Sequence, residues 1–428
     1  MTGSRLGRFY ALSVAERRER ISEVAGLPGD ALARALDAGG LDLATADKLV
    51  ENVVGTYALP YGIALNFTVN GRDVLVPMVV EEPSVIAAAS NAARMVRAGG
   101  GFWAETPEAL MIGQVELRDV ADPEAASAVL GAAREELLEL ARRAAPGLLP
   151  YGGGPREIEI RNLGEGRLVL HVLVDCRDAM GANMVNTIAE AIAPRAAELA
   201  RGRLGLRILS NLADRRRVRV SCRVPIGALA GKDGLPAAEV AQAIEEASRF
   251  ADADPYRAAT HNKGIMNGID AVVLATGNDF RAVEAGAHAY AARSGVYRPL
   301  SCWRHAGEEL VGNLELPLAL GTVGGTLRAH PGARLALDLV GATGAKELGE
   351  VAAAAGLATN LAALRALGTE GIQRGHMALH ARSVAVTVGA EGDEVDRVAR
   401  ALVAGGTVTV DRARELLTED RRDHDPAL

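Results

Sequence analysis

The chain has 428 residues, 49% hydrophobic and 24% charged, a balance that suits about two or three folded domains and excludes disorder. Its 47 Lys and Arg against 54 Asp and Glu give a formal charge of −7, and Arg215-Arg216-Arg217 is the one basic tract, which excludes a large cationic nucleic-acid surface. Three scattered cysteines (Cys176, Cys222, Cys302) form no disulfide framework or CxxC pattern; with no secretion signal and no apolar run approaching the roughly 20 residues of a membrane span, a cytoplasmic location is expected.

In chain order, the first hundred residues predict short helices, strands near 61–70 and 74–80, then a helix. That helix is expected to open at Glu82-Pro83-Ser84, with proline in the first turn where its missing N–H costs nothing, and to stop at Gly99-Gly100-Gly101. Next come a strand (QVELRDV), one long helix over 123–145, a turn at Gly152-Gly153-Gly154, strands EIEIRNL and RLVLHVLV, the helix NTIAEAIAPRAAELA and the strand RLGLRIL. Strand–helix–strand–strand–helix–strand is the ferredoxin-like order. After the basic RRRVRVSC, a helix over 238–249 precedes a polar loop (THNKGIMNG), an apolar strand (AVVLAT), the tight Gly277-Asn278-Asp279 and the helix FRAVEAGAHAYAARS. From His376 the chain reads as helices with one short apolar stretch, VAVTV. The expected fold is mixed α/β and α+β: a large domain over 1–109 and 220–375, an inserted ferredoxin-like domain over 110–219, and a C-terminal helical element over 376–428.

Lys263 is one of only four lysines (with Lys48, Lys232 and Lys346) among the 47 cationic residues. In an arginine-preferring chain it suggests a point charge or a transferable proton, which arginine cannot supply; the plainer account is a surface lysine. Asp279 before a helix is either an N-cap or a carboxylate at the C-terminal end of a strand, where α/β sites collect. Glu81 and Glu82 precede another helix, whose dipole favours an acid; Glu82 buried beside Asp279 would push one carboxyl toward its neutral form. His376 and His380 share a helical face, but Met377 stands where the zinc-protease pattern has Glu, so acid work by a histidine fits better than a metal site. Asp178-Ala179-Met180-Gly181-Ala182-Asn183 opens a helix with small residues suited to a phosphate, though it is not GxGxxG. Gly321-Thr322-Val323-Gly324-Gly325-Thr326 is a close backbone approach or a turn.

ENVVGT, VPMVVEEPSVIAAAS, DAMGANMVNT, THNKGIMNGIDAVVLATGND, GTVGGT and GIQRGHMALHARS stand in that order between about residues 48 and 388. Together they resemble hydroxymethylglutaryl-CoA reductase, in its bacterial (class II) form with the EEPS version of the acidic motif. The resemblance implies interconversion of hydroxymethylglutaryl-CoA and mevalonate plus CoA with two nicotinamide cofactors in turn, through mevaldyl-CoA and mevaldehyde and without a metal. It carries a catalytic quartet onto Glu82, Lys263, Asp279 and His376. Substrate contacts fall on Arg257, Ser84 and Asn267, and CoA lies near Asn52 and Gly55. Dinucleotide contacts fall on Asp178, Met180, Gly181, Ala182, Asn183 and Asn186 of the small, non-Rossmann domain. It also implies a homodimer, or a higher oligomer of dimers, with the site between subunits, no nucleic-acid or membrane partner, and a C-terminal flap that closes over substrate.

The cofactor's identity rests on one region. NAD-using members often carry an acid near the end of the helix before the Gly-rich turn; here Arg142-Arg143-Ala144-Ala145-Pro146-Gly147 has none. An acid reads the free 2′-hydroxyl and arginine accommodates a 2′-phosphate. NAD(H) remains narrowly favoured by general closeness to NAD-using relatives, with NADP(H) as the other option. Two other classes stand beside the reductase: another NAD(P)-dependent oxidoreductase of acyl-CoA or hydroxy acids on the same scaffold, and a non-catalytic CoA-binding dimer.

Overall fold

The computed structural model describes residues 3–230, 234–369 and 372–424, and their side chains apart from those of 325–326, 372–379 and 423–424. Alternation of apolar and polar residues builds two sheets. Strands β1 (Tyr61–Val69) and β2 (Arg72–Val79) form a hairpin whose turn, Asn70-Gly71, has positive φ at both residues (50° and 76°), the primed geometry that follows strand twist. The remaining strands are β3 (Phe102–Glu105), β4 (Leu110–Arg118), β5 (Gly154–Gly164), β6 (Arg167–Asp175), β7 (Arg203–Ser210), β8 (Arg217–Pro225), β9 (Ser301–Ala306) and β10 (Glu309–Pro317). The larger sheet runs β2-β1-β3-β8-β10-β9 and the smaller β5-β6-β4-β7.

The smaller sheet is antiparallel throughout, and its helices pack over a core of Val115, Leu170, Val172, Val185, Ile188 and Ile192. Its strand order and the helices between strands are the ferredoxin-like topology expected from the sequence. The expected helix over 123–145 is two helices, Pro123–Ala132 and Arg134–Ala144, parted at Ala133 (φ −90°, ψ 9°), two residues after Gly131, the weakest helix former of the run. The chain crosses to the larger sheet between Ser210 and Arg217.

One face of the larger sheet is covered by the helices Val85–Arg97, Pro255–Ala275 and Ala345–Gly368, which share one core with β1, β2, β8 and β10. Small residues let these helices approach closely: a Cβ on Gly268 would lie 2.5 Å from the Ala355 carbonyl oxygen. Ala345–Gly368 is long and apolar enough to cross a bilayer, against the expectation that no such stretch exists, but 67% of its apolar window is buried inside the fold. Composition alone cannot separate a core helix from a membrane span.

Two further expectations are overturned. THNKGIMNG and AVVLAT are not loop and strand but one helix, Pro255–Ala275. Asp254 caps it, accepting from the Tyr256 and Arg257 amides, and Pro255 occupies its first position. Ile265, Met266, Ile269, Val272 and Val273 keep helical spacing, and a helix buried all round carries the same apolar run as a buried strand. The helix after Glu82 begins only at Val85, because Ser84 is left-handed (φ 78°); Pro83 therefore precedes the helix instead of opening it. At the C-terminus, the helices Ile372–Thr387, Asp393–Ala404 and Val410–His424 have their own apolar cluster of Ala381, Val384, Ala385, Val398, Leu402 and Leu417.

Candidate active site

Lys263 projects from the helix Pro255–Ala275, and the two residues before it fix that helix. Both face inward. The Asn262 amide donates to the Arg298 carbonyl (2.9 Å) and its oxygen accepts from the Leu300 amide (2.9 Å). His261 Nε2 lies 2.7 Å from Ser301 Oγ and 3.2 Å from Asn360 Nδ2, while Asn360 Oδ1 accepts from Ser301 Oγ and from Trp303 Nε1 (2.7 Å). Burial, and secondarily the Arg257 charge, pushes the His261 imidazole down to about 4, so it is neutral near pH 7. The polar density that marks this segment in sequence is therefore largely structural, a set of pins behind one outward lysine.

Lys263 Nζ donates to Glu82 Oε2 at 2.8 Å, with side-chain exposures of 61% and 35%. Glu82 sits in the turn after β2, directly before Pro83 and the strained Ser84. Ser84 Oγ is buried without a hydrogen-bond partner and does not cap the helix it precedes, although the Ser84 carbonyl accepts from the Ala88 amide (2.7 Å). A buried unsatisfied hydroxyl on a strained residue suits a ligand contact. Asn267 follows Lys263 by one helical turn on the same face. Arg257 is half-buried, burial lowers its pKa, and among the described residues no acid pairs with it. Such a cation suits an anionic substrate.

Asp279 is elsewhere. It caps the helix Phe280–Ala291, accepting from the Arg281 and Ala282 amides (3.1 and 3.2 Å) and from Arg281 Nε (3.1 Å). Burial raises its pKa, but the Arg281 guanidinium and the cap amides outweigh it and hold the carboxyl below its usual range. Lys263 lies twelve residues before the helix end at Ala275, and the chain beyond folds back only to Val273. At the helical rise this is about 15–18 Å, more than the two side chains can bridge. Within one chain Asp279 therefore does not touch Glu82 or Lys263, and the expected site between subunits would have to draw it from a second copy. His376 lies on the helix Ile372–Thr387 with its side chain outside the described residues, and His380 is exposed. Among the described residues no three His, Cys, Asp or Glu could hold a metal.

The turn before the helix Ala182–Ala200 is built around Gly181 (φ 94°), where a Cβ would meet Cys176 Sγ at 2.3 Å. No side chain caps this helix, Ala182 is half-buried and Asn183 is exposed, so first-turn amides are available to an anion. Two expected cofactor contacts prove to be at least partly structural. Asp178 Oδ1 accepts from the Ala345 amide (2.9 Å), and Asn186 Oδ1 accepts from the Leu209 amide (2.9 Å). Neither interaction has a local sequence signal. Asn52 is left-handed (φ 58°), Gly55 is exposed, and Val54 between them is 100% exposed.

Comparison with known proteins follows the same lines. Residues 13–381 match the family described as hydroxymethylglutaryl-coenzyme A reductase. The chain is 49% identical over 418 residues to the 3-hydroxy-3-methylglutaryl-coenzyme A reductase of Archaeoglobus fulgidus, covering 97% of this chain and 94% of that protein. It is 36% identical over 346 residues to a probable enzyme of the same description from Borreliella burgdorferi, covering 79% and 77%. A solved 3-hydroxy-3-methylglutaryl-coenzyme A reductase of Streptococcus pneumoniae superposes with TM-score 0.82 at 44% identity over 97% of this chain and 99% of that one. A second structure from that organism, a class II enzyme bound to NADPH in open conformations, gives 0.81 at 45% identity over 84% and 99%.

Proposed function

Because the chain belongs to the hydroxymethylglutaryl-CoA reductase family, and so is a nicotinamide-dependent oxidoreductase that interconverts hydroxymethylglutaryl-CoA and mevalonate plus CoA, we propose a specific role for each residue of the site. The observation that carries the assignment is the 2.8 Å Lys263–Glu82 pair on a helix pinned by His261 and Asn262. Two reduced nicotinamides bound in turn would each supply one hydride, the first for the thioester and the second for the aldehyde. Lys263 Nζ stabilises the oxygen that becomes negative as the thioester carbonyl is reduced. His376 gives a proton to the departing CoA sulfur, and Glu82 gives one to the aldehyde oxygen as it becomes an alcohol. Arg257 holds the substrate carboxylate, with Ser84 and Asn267 at its hydroxyl or carboxylate.

Asp279 completes this site from a second copy of the chain, where its carboxylate keeps Lys263 charged and oriented. The 15–18 Å separation within one chain supports that reading. So does the ENVVGT segment, whose fully exposed Val54 suits burial against a partner or CoA. The dinucleotide lies at Met180, Gly181, Ala182 and Asn183, where uncapped helix amides fit its phosphates; Asp178 and Asn186 support that turn. Arg142 and Arg143 are already paired with Glu135 and Glu139 of their own helix, which weakens their claim on a 2′-phosphate and leaves NAD(H) narrowly preferred. The helices from His376 onward close as a flap, excluding water and bringing the imidazole to sulfur. We place the enzyme in the cytoplasm.

The test is steady-state turnover with NAD and NADP in both directions. Protein, mevalonate, CoA and oxidised nicotinamide should generate reduced-cofactor absorbance, with the higher kcat/KM for NAD. Absence of turnover with either cofactor in both directions would overturn the assignment of roles, and a higher kcat/KM for NADP would overturn the cofactor preference.

A further inference from the structure

Arg216 has no part in the mechanism above, yet it is among the most deeply placed charges of the fold, at 3% exposure. Its hydrogen bonds all go to main-chain carbonyls: Ala179 (3.0 Å), Met180 (3.4 Å) and Leu320. Among the described residues no carboxylate bonds to it. A buried cation satisfied by carbonyls alone is costly, and it fixes the peptide planes that hold it.

Two of those planes matter. The peptide unit is planar and trans, so a carbonyl turned toward the guanidinium turns the next amide away from it. Drawing in the Ala179 and Met180 carbonyls therefore turns the Met180 and Gly181 N–H groups away from the guanidinium. The Gly181 amide has no hydrogen-bond partner among the described residues and adjoins the uncapped helix start at Ala182, whereas the Met180 amide faces Gly321 and Val323 of the larger domain. The third carbonyl links this turn to the larger domain. Leu320 leads into Gly321, whose amide donates to Asn278 Oδ1 (2.7 Å) and whose carbonyl accepts from Asn278 Nδ2 (3.1 Å). The Thr322 amide donates to the Asp178 carbonyl (2.8 Å), and Ala179 and Val323 form a β-bridge. A Cβ on Gly321 would come within 2.7 Å of the Met180 nitrogen, so the two backbones are in direct contact. The DAMGAN, GTVGGT and GND segments are thus one hydrogen-bonded junction, with Arg216 beneath it and Asp279 next to its far end.

We infer that Arg216 is a positioning residue for the dinucleotide: it aims the Gly181 amide at the cofactor phosphates, holds Met180 in the junction and, through Leu320 and Gly321, sets that turn against the Asn278–Asp279 loop. This rests on the assignment of the dinucleotide to this turn.

The experiment is steady-state kinetics on the full chain with each substrate varied in turn. Arg216→Met should raise KM for the nicotinamide dinucleotide by about 10- to 100-fold while leaving KM for hydroxymethylglutaryl-CoA within about twofold. Arg216→Lys, a compact charge that reaches fewer carbonyls, should fall between Arg216→Met and the parent. A purely structural role would lower kcat through loss of folded enzyme and move neither KM, and that result overturns the inference. Should Arg216→Met not fold, Asn278→Ala breaks the same junction at a half-buried position and must raise the dinucleotide KM; an unchanged value overturns the inference as well. Asn183→Asp separates this from the underlying assignment, because an added negative charge at the helix start must weaken a phosphate bound there. If Asn183→Asp leaves the dinucleotide KM unchanged, the cofactor site lies elsewhere and both fall. If it raises that KM while Arg216→Met does not, only the role of Arg216 falls.

Discussion

The separation of Lys263 from Asp279 makes a quantitative test of site architecture possible. Lys263→Ala removes the ammonium paired with Glu82, and Asp279→Ala removes the carboxylate that caps the helix Phe280–Ala291. If each site draws its lysine from one chain and its aspartate from another, a dimer with one chain of each variant has one site with both residues intact and one with both missing. Random pairing makes half the dimers mixed, and half the sites in a mixed dimer work, so co-expression should restore about a quarter of parental activity. Mixed dimers isolated through two different affinity tags should show about half. The assay is reduced-nicotinamide absorbance against each variant alone, with circular dichroism to confirm folding. Activity no higher than that of the separate variants would refute the reasoning, because sites built within one chain are all defective in such a mixture.

Lys263→Ala by itself should lower kcat by about three orders of magnitude, the scale expected for loss of an oxyanion-stabilising group, and leave the melting temperature nearly unchanged because the side chain is largely exposed. His261 should give stability an acid-side dependence. Its folded pKa of about 4 lies below the unfolded value near 6.5, so its contribution is full above pH 6.5 and falls away by about 3 kcal/mol as pH drops toward 4, measurable by urea unfolding of the parent against His261→Gln. Asp270 runs the other way. Burial first, and then the hydrogen-bonded Glu284 carboxyl, push it well above the usual carboxylate range, so the folded chain holds a proton more tightly than the unfolded chain and stability falls as pH rises from about 4. Asp270→Asn should therefore raise unfolding free energy at pH 7 and flatten its pH dependence; a destabilised variant would contradict that sign. Ser84→Ala should raise KM for hydroxymethylglutaryl-CoA severalfold without lowering stability, since its buried hydroxyl has no partner to lose.

Much of this molecule is legible in the order of its residues, and the unreadable parts share a physical cause. The ferredoxin-like sheet could be read because strands such as β4 and β6 carry their identity in local alternation and in the turns that bound them. Glu82, Lys263 and Asp279 could be named by resemblance, as members of long motifs. Position within the fold was a different matter. Ser84 looked like a helix residue, and only its backbone reveals the strained turn. The Asp178 carboxylate looked free for a cofactor, yet it meets the Ala345 amide, a partner 167 residues away that no local pattern announces.

The sharpest case is Thr260-His261-Asn262-Lys263. Read as a loop, all four polar residues could face a ligand. Read as helix, each step rotates the side chain by about 100°, so four consecutive residues cannot all share a face. His261 and Asn262 turn into the core and meet Ser301, Asn360, Arg298 and the Leu300 amide, and only after them does Lys263 emerge toward Glu82. The pins and the reagent are the same polar stretch, separated by a single helical step. Their adjacency makes mechanical sense: the ammonium must hold its place while charge develops on the substrate oxygen, and the strongest anchorage available is that of the two residues next to it in the chain.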